Sequence, residues 1–287
     1  MMSIHRVRLA LLAAGIALAG CAAPTSALPT AASGPSAFSI AVASNDFGTG
    51  APRVPFVVYQ GSKRLADIRS VRVTAFDLHT GTPVQGWSGE ATSYSDYEVP
   101  YWVVYPQVPT AGYWGLGAIV TLPDGTRTQA QFTIGVTSTV STPDIGQTPP
   151  ASHNRTLATE PDLAKLTSDA SPEPGLYQLS VADALKSGKP TVVTFATPAY
   201  CTSRLCAPMV NSVKTVYRQL KSQVNFIHIE VYKSFNPLVY ADEMEQWRLV
   251  SEPWTFVLDK NGKVAARLGG PVSPRELTAA LTPLLQP

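Results

Sequence analysis

The chain has 287 residues, and its 22 basic and 20 acidic side chains give a formal charge of +2. Charged residues make up 15% of the chain, below the roughly 25% typical of soluble domains, and no basic run occurs, which argues against nucleic acid as a ligand. Apolar residues at 45% can build hydrophobic cores, and the length predicts about two domains. The 20 glycines and 25 prolines disfavour an all-helical fold.

The N-terminal residues have the pattern of an export signal. Two arginines precede the apolar run Leu9–Leu18, which is shorter than the about 20 residues that a membrane-spanning helix needs. The letters LAGC at residues 18–21 resemble the lipobox of bacterial lipoproteins, in which the cysteine carries a diacylglycerol. We therefore expect a signal peptide over residues 1–20, a lipid on Cys21 and a flexible tether over residues 21–36, which anchor the exported protein to the outer face of the cell membrane. An ordinary signal peptide followed by an incidental cysteine is the alternative.

Residues 37–138 are predicted to form an all-β sandwich. Short β-branched and aromatic segments alternate with turn residues about every 8 to 12 positions, which is typical of sandwiches and resembles immunoglobulin-like modules of exported bacterial proteins. Apolar side chains alternate in the last two strands and predict one buried face. The aromatic residues between Tyr94 and Trp114 form either a binding surface or core packing. The predicted strands are Phe38–Ala43, Pro55–Gln60, Val71–Asp77, Tyr97–Tyr105, Tyr113–Leu122 and Thr126–Val136.

Residues 139–175 are rich in Pro, Ser and Thr and are predicted to be a linker with one brief helical turn. Residues 176–287 alternate between helices and strands, which predicts an α/β domain. A helix is predicted to begin at the N-cap Ser180, and the last helix at the N-cap Ser273, with Glu276 completing a capping box. Further helices are predicted near residues 207–221 and 240–247, and strands at residues 191–196, 224–231, 254–258 and 264–268, the last two as an antiparallel hairpin.

This order of elements resembles the thioredoxin superfamily. The matching segments are the strand TVVTFA, a cysteine loop with a following helix, the strand NFIHIEV, the hairpin EPWTFVLDKNGKVAARLGG and a terminal helix. The resemblance implies a central mixed sheet flanked by helices, with a cis proline at Pro253 that faces Cys201 and Cys206. The residues that the resemblance places beside a partner polypeptide are Tyr200, Glu252, Pro253 and Trp254.

Four residues separate the two cysteines in CTSRLC, where the superfamily pattern has two. In one regular helix, Cα atoms five residues apart lie roughly 8 to 9 Å from each other, beyond the roughly 7 Å limit for a disulfide. Cys201 must then lie in a loop, or the helix must unwind. Pro208 suits a first helical turn, which places Cys206 near a helix N-terminus that stabilises a thiolate. Either cysteine remains a candidate for the attacking thiolate, Cys206 by this position and Cys201 because the superfamily uses its first cysteine.

The sequence departs from the superfamily at a second position. Thioredoxins have a buried acidic residue on the central strand that helps to move a proton, and Thr194 occupies the matching place. Glu252 or Glu230 are possible substitutes, although a surface carboxylate is the simpler interpretation of each. The four histidines lack metal-ligand spacing, so we expect no zinc site. His228 lies on a predicted core strand, where a satisfied histidine is a simpler interpretation than a copper ligand.

Together these observations favour a membrane-anchored, extracytoplasmic thiol-disulfide oxidoreductase that acts on protein thiols and disulfides through Cys201 and Cys206 without a bound cofactor. A membrane-bound redox partner is compatible with this hypothesis. The alternative from a different class is a binding or assembly lipoprotein with a static disulfide. A peroxiredoxin-like peroxidase ranks lower, because Pro198 and Thr194 stand in the reverse of the peroxidase order. A copper chaperone ranks lower, because a satisfied core histidine explains His228.

Overall fold

The computed structural model describes residues 37–79 and 81–286. The predicted signal peptide, the lipidation site Cys21 and the tether lie outside these residues. Within the described part of the chain, no helix combines the length and the apolar character needed to cross a membrane.

The first domain is a sandwich of two β-sheets, as the strand spacing predicts. Its strands are β1 (Phe38–Val42), β2 (Phe47–Gly48), β3 (Val54–Gln60), β4 (Lys63–Arg64), β5 (Ser70–Asp77), β6 (Val84–Glu90), β7 (Thr92–Tyr94), β8 (Tyr101–Val104), β9 (Gly112–Thr121) and β10 (Arg127–Thr137). One sheet has the order β1-β3-β8-β7, with β4 paired to β3, and the other has the order β2-β10-β9-β5-β6. Side chains of both sheets, such as Phe56 and Leu116, share one buried core.

The predicted alternation in the last hairpin is confirmed, because Trp114, Leu116 and Ile134 all point into this core. The strand predicted from Tyr97 begins only at Tyr101, since Pro100 lacks a backbone N–H and restricts the residue before it. Strands β6 and β7 escaped prediction, because their residues are largely exposed and include two glycines. The aromatic residues that are buried and therefore serve packing are Tyr97, Tyr101, Trp102 and Trp114.

The predicted linker packs against the second domain along much of its length. Gly146 N–H donates to Val264 O at 2.8 Å, and Val264 N–H donates to Gln147 O at 2.9 Å. The brief helical turn is confirmed as α1 (Leu163–Leu166), with Asp162 as its N-cap. Leu166 is buried in the core of the second domain, so the segment between the sheets of the two domains is part of the folded structure.

The second domain is built on a four-stranded mixed sheet. Its helices are α2 (Val181–Ala184), α3 (Cys206–Leu220), α4 (Asp242–Gln246) and α5 (Pro274–Leu281), and its strands are β11 (Thr191–Ala196), β12 (Asn225–Glu230), β13 (Tyr232–Phe235), β14 (Leu238–Tyr240), β15 (Trp254–Leu258) and β16 (Val264–Gly269). The sheet order is β12-β11-β15-β16; β11 and β12 are parallel, and the other two pairs are antiparallel. Helices α3 and α5 pack on one face of the sheet and α2 and α4 on the other.

The polar stretch predicted after β12 is in fact a second hairpin, β13–β14. Its turn contains the cis peptide bond Asn236–Pro237. The helix predicted over residues 240–247 is shortened at its start, because Tyr240 pairs with Tyr232 in this hairpin. The hairpin is only partly covered, and the side chains of Leu238 and Tyr240 are exposed.

The capping box predicted at the start of α5 is half wrong. The Ser273 hydroxyl accepts from Glu276 N–H at 3.1 Å, as predicted, but the Glu276 carboxylate does not return to Ser273 N–H. That N–H donates instead to the Tyr101 hydroxyl of the first domain at 2.8 Å, and Tyr101 donates to Glu276. Arg53, also from the first domain, pairs with both Glu276 oxygens at 2.6 and 2.8 Å. The charged Arg53 guanidinium of the first domain is a stronger donor than the Ser273 N–H, so it takes the place of the local contact that the capping box predicts for the Glu276 carboxylate.

Candidate active site

The two cysteines lie where the central strand leads into the longest helix. Cys201 is in the loop after β11, Cys206 is the first residue of α3, and a disulfide joins them. Their Cα atoms are 6.0 Å apart, inside the range that a disulfide requires. The expectation that Cys201 lies outside the helix is therefore confirmed. Pro208 lies in the first turn, where its missing N–H costs no helical hydrogen bond.

The two sulfur-bearing residues differ in their exposure to solvent. Cys206 is completely buried, packed in the core that α3 shares with the sheet. Cys201 is only partly buried, and its sulfur lies 3.2 Å from the Ser203 hydroxyl. The Cys201 side of the bond is therefore the more exposed to solvent, while Cys206 sits at the positive end of the helix dipole.

Glu252 belongs to this site and is not an ordinary surface carboxylate. Its carboxylate oxygen and the sulfurs of Cys201 and Cys206 all lie within 4.8 Å of one another. The side chain is partly buried, and this burial raises the pKa of the Glu252 carboxyl above its ordinary value. Glu252 is thus a half-buried carboxyl beside the disulfide, and its role in the exchange stays a prediction.

Thr194, a neutral residue, occupies the position at which thioredoxins have a buried acidic residue. Thr194 is completely buried, and its hydroxyl lies 3.2 Å from that of Thr255, which in turn contacts the Met209 sulfur at 3.5 Å. Hydroxyl and thioether groups do not ionise near neutral pH, so among Thr194, Thr255, Met209 and Glu252 only the Glu252 carboxyl can exchange a proton in that range.

Glu230 and His228 have structural roles in the second domain. Glu230 is buried rather than on the surface, which corrects the sequence-based interpretation, and its carboxylate accepts from the backbone N–H and the hydroxyl of Ser168, both at 2.8 Å. His228 is buried with its Nδ1 2.7 Å from the Tyr177 hydroxyl and its Nε2 3.1 Å from Ala196 O. Burial lowers the pKa of His228, so the ring is held neutral. Both nitrogens are occupied, as expected for a satisfied core histidine.

The four residues predicted to face a partner polypeptide occupy different environments. The peptide bond before Pro253 is cis, as the resemblance implied, and Glu252 lies beside the sulfurs. Trp254 is buried, with the Arg267 guanidinium 5.5 Å from its ring centroid, so its indole is a packing element. Tyr200 is 39% exposed and stacks on Phe235 of the β13–β14 hairpin with ring centroids 5.3 Å apart.

The first domain reaches the cysteine loop, which the sequence did not predict. The Tyr97 hydroxyl donates to Leu205 O at 2.8 Å, and Leu205 directly precedes Cys206. The Leu205 side chain packs into an aromatic cluster of the first domain that includes Tyr97 and Tyr101. Ser251, which precedes Glu252, donates to the Asn45 side chain at 3.0 Å. The only sequence signal was the density of aromatic residues after Tyr94, which left packing and binding open.

Comparisons with known proteins agree with the geometry of the second domain. Residues 177–284 match the sequence model of the thioredoxin-like domain. The second domain is therefore a thioredoxin-like domain, and the chain combines it with the sheet-rich first domain. The comparison with curated proteins found no match.

Several solved structures are similar in fold to parts of the chain. A thiol:disulfide interchange protein of the thioredoxin family from Chlorobium tepidum is 20% identical, with 42% of this chain and 100% of that chain covered and a TM-score of 0.31. StoA from Bacillus subtilis is 17% identical, with coverages of 32% and 82% and a TM-score of 0.27. CopC from Methylosinus trichosporium is 17% identical, with coverages of 32% and 83% and a TM-score of 0.23.

Proposed function

We propose that the protein is a thiol-disulfide oxidoreductase that exchanges its Cys201–Cys206 disulfide with the thiols of other polypeptides. The observation that carries this proposal is the asymmetry of the bond: one sulfur is accessible, the other is buried at a helix N-terminus, and Glu252 lies within 4.8 Å of both. A disulfide that closes so short a loop contributes little to fold stability through chain entropy, so its placement favours chemistry.

The exchange proceeds in two balanced steps. A partner thiolate attacks the Cys201 sulfur, a mixed disulfide forms, and Cys206 leaves as a thiolate that the helix dipole stabilises. A second thiolate of the partner then attacks the partner's own sulfur in the mixed disulfide, and Cys201 leaves. The partner gains a disulfide and the chain gains two thiols, so two electrons pass to the chain. The two protons that the partner thiols lose end on Cys201 and Cys206, one of them by way of Glu252. The reverse sequence reduces a partner disulfide.

The proposal includes the location of the protein outside the cytoplasm, held by a lipid on Cys21. The small residues before Cys21 and the Pro- and Ser-rich stretch after it support this part. A Cys21→Ala chain is expected to leave the membrane fraction of expressing cells, because a peptide signal alone provides no lipid anchor. Retention of the variant in that fraction would contradict the anchor and leave the redox proposal standing.

The test of the redox proposal is exchange by the full chain in both directions. The oxidised chain is mixed with a reduced dithiol peptide, and the reduced chain with the same peptide as a disulfide, and both products are followed by mass spectrometry. We expect the two mixtures to reach the same ratio of oxidised to reduced chain from opposite directions. The neutral Thr194–Thr255 pair favours the rival function, a binding platform with a static disulfide, and a bond inert to the peptide in both mixtures would establish that rival.

Replacing Glu252 with Gln is expected to slow exchange about a hundredfold, because general acid–base catalysis typically contributes at least that factor. Since burial raises the pKa of Glu252, the wild-type carboxyl keeps its proton above the pH at which a free glutamate loses it. The rate at which the reduced chain attacks should therefore rise with pH as this carboxyl ionises, and the Gln variant should lack that rise.

The same substitution has a predicted effect on stability. A raised pKa in the folded state means that ionisation of Glu252 opposes folding, so stability is lost as the pH rises from the ordinary glutamate pKa through the raised one. Gln removes this pH dependence. Glu90→Gln is the matched control, because Glu90 is exposed on β6 of the first domain and is not part of the cluster of Glu252 and the two sulfurs. Identical pH–rate profiles for wild type and Glu252→Gln would exclude Glu252 as the proton-transfer group.

A further inference from the structure

A groove between the two domains opens beside the cysteine pair. It has a volume of about 530 Å³, and its walls are the end of β1, the β3–β4 hairpin with Tyr59 and Arg64, the cysteine loop from Thr202 to Leu205, and Ser251 with Glu252. The first domain therefore supplies one wall of the cavity and the redox loop supplies the other. Any polypeptide bound in this groove contacts both domains.

A second hollow adjoins the groove at Ser251 and Glu252. It has a volume of about 390 Å³ and lies between α4 and the exposed hairpin residue Tyr240, with Leu249 and Val250 in its lining. The two cavities share Ser251 and Glu252, the residues that precede Pro253. Two adjoining cavities that meet at Ser251 and Glu252, beside the sulfurs, fit an extended chain segment rather than a compact small molecule.

The charges of the first cavity favour an acidic occupant. Arg64 and Arg204 both line it, both are exposed, and neither has a carboxylate partner in the part of the chain that the structure describes. Glu252 is the one acidic residue in the lining of this cavity, and it lies beside the sulfurs. Asp242 and Glu245 line the second hollow, so the preference for acidic side chains is confined to the groove between the domains. Arg204 also has a φ of 60°, in the left-handed region that residues other than glycine seldom adopt, and such conformations cluster at binding and catalytic sites.

We propose that the first domain is a specificity element of the redox site: the groove binds an extended polypeptide segment of the partner, and Arg64 and Arg204 select segments with acidic side chains beside the reacting cysteine. This inference rests on the proposed exchange function. The side chain of Arg64 reaches the groove only because the first domain docks on the cysteine loop through Tyr97 and Leu205.

The test uses the oxidised full chain and three short dithiol peptides that differ only in their flanking residues, which are aspartate, serine or lysine. Each reaction transfers two electrons from the peptide thiols to the Cys201–Cys206 disulfide, and the peptide disulfide is quantified by mass spectrometry. At low salt we expect the aspartate peptide to react about three- to tenfold faster than the serine peptide, and the lysine peptide more slowly. In 1 M salt, where the screening length is about 3 Å, the three rates should converge.

Substitutions assign this preference to the groove. Arg64→Glu is expected to lower the ratio of the aspartate-peptide rate to the lysine-peptide rate about tenfold from its wild-type value. Arg64→Gln, which removes the charge without reversing it, should lower the same ratio about threefold. Arg127→Glu is the matched control, because Arg127 is exposed on β10 without an ion pair in the described chain and lies outside the groove lining; its ratio should equal that of wild type.

The outcomes separate the specificity from the function. Equal rates for the three peptides at low salt, with ready exchange, overturn the specificity and leave the proposed function intact. If Arg64→Glu and Arg127→Glu change the charge preference equally, the preference comes from the net charge of the chain, and this result also overturns the inference. A chain that exchanges with none of the peptides and with no small dithiol such as dithiothreitol overturns both proposals.

Discussion

A chain with Met in place of Arg53 is expected to lose about 3 to 5 kcal/mol of its free energy of unfolding. The reason is that Arg53 and Glu276 form a buried pair, with side chains only 6% and 5% exposed. Burial alone would lower the pKa of Arg53, but the adjacent Glu276 carboxylate raises it above its ordinary value, so the guanidinium keeps its charge. Removing the guanidinium leaves a buried carboxylate without its counter-charge. Denaturant unfolding followed by tryptophan fluorescence measures the loss.

A second substitution separates the lost attraction from the uncompensated charge. Adding Glu276→Gln to Arg53→Met should restore a large part of the stability, because a neutral amide costs less to bury than a carboxylate and still accepts from Tyr101. The control is Arg72→Met, which breaks an exposed pair with Glu90 on the same sandwich and should cost less than about 1 kcal/mol. Equal losses for Arg53→Met and Arg72→Met would show that the interdomain pair does not hold the domains together.

This pair also connects the stability of the interface to the redox site. Tyr101 bridges Glu276 and the N-terminus of α5, and its ring packs against Tyr97, which donates to Leu205 beside Cys206. The residues that fix the first domain on the second are thus two contacts away from the cysteine loop. We infer that loosening the Arg53–Glu276 pair also loosens the groove wall that carries Arg64.

Much of the fold follows from local sequence patterns. The continuous apolar segment 191–196 is a central strand because both faces of the sheet are covered by helices. Ser180 and Ser273 cap helices because their hydroxyls satisfy free N–H groups within the same turn. The place of Cys201 in a loop followed from the geometric limit on a disulfide. Each of these features depends on neighbours along the chain or on a fixed distance.

The features that escaped prediction depend on contacts between distant segments. Glu276 has a local use as a capping residue, and only the arrival of Arg53, 223 residues away, redirects its carboxylate. Glu252 lies beside the two sulfurs although about 50 residues separate it from them in the chain. The hairpin β13–β14 is amphipathic over too few residues to show a strand period, and Tyr200 of the cysteine loop helps to hold it by stacking.

The last prediction decides which sulfur attacks. A Cys206→Ser chain is expected to accumulate a stable mixed disulfide with a partner polypeptide through Cys201, because the accessible thiolate attacks and no second thiol resolves the product. A Cys201→Ser chain is expected to form none, because Cys206 is completely buried. Both variants should lose catalytic turnover entirely. Non-reducing electrophoresis of acid-quenched cells, followed by mass spectrometry of the adduct, measures the trapped species and identifies the partner.

The two variants control for each other, because each removes the same disulfide and therefore the same constraint on the unfolded chain. Because Cys206 is buried and Cys201 is not, the free energy of unfolding of both variants is measured as well, and a difference in adduct between two folded variants reports the position of the remaining sulfur. Adducts confined to Cys201→Ser would assign the attack to Cys206, whose place at the start of α3 stabilises a thiolate, and would require α3 to unwind at its first turn to expose the sulfur. Absence of adducts from both variants, while the wild-type disulfide stays inert to dithiol peptides, would leave the thioredoxin-like domain as a binding platform on which the first domain is mounted.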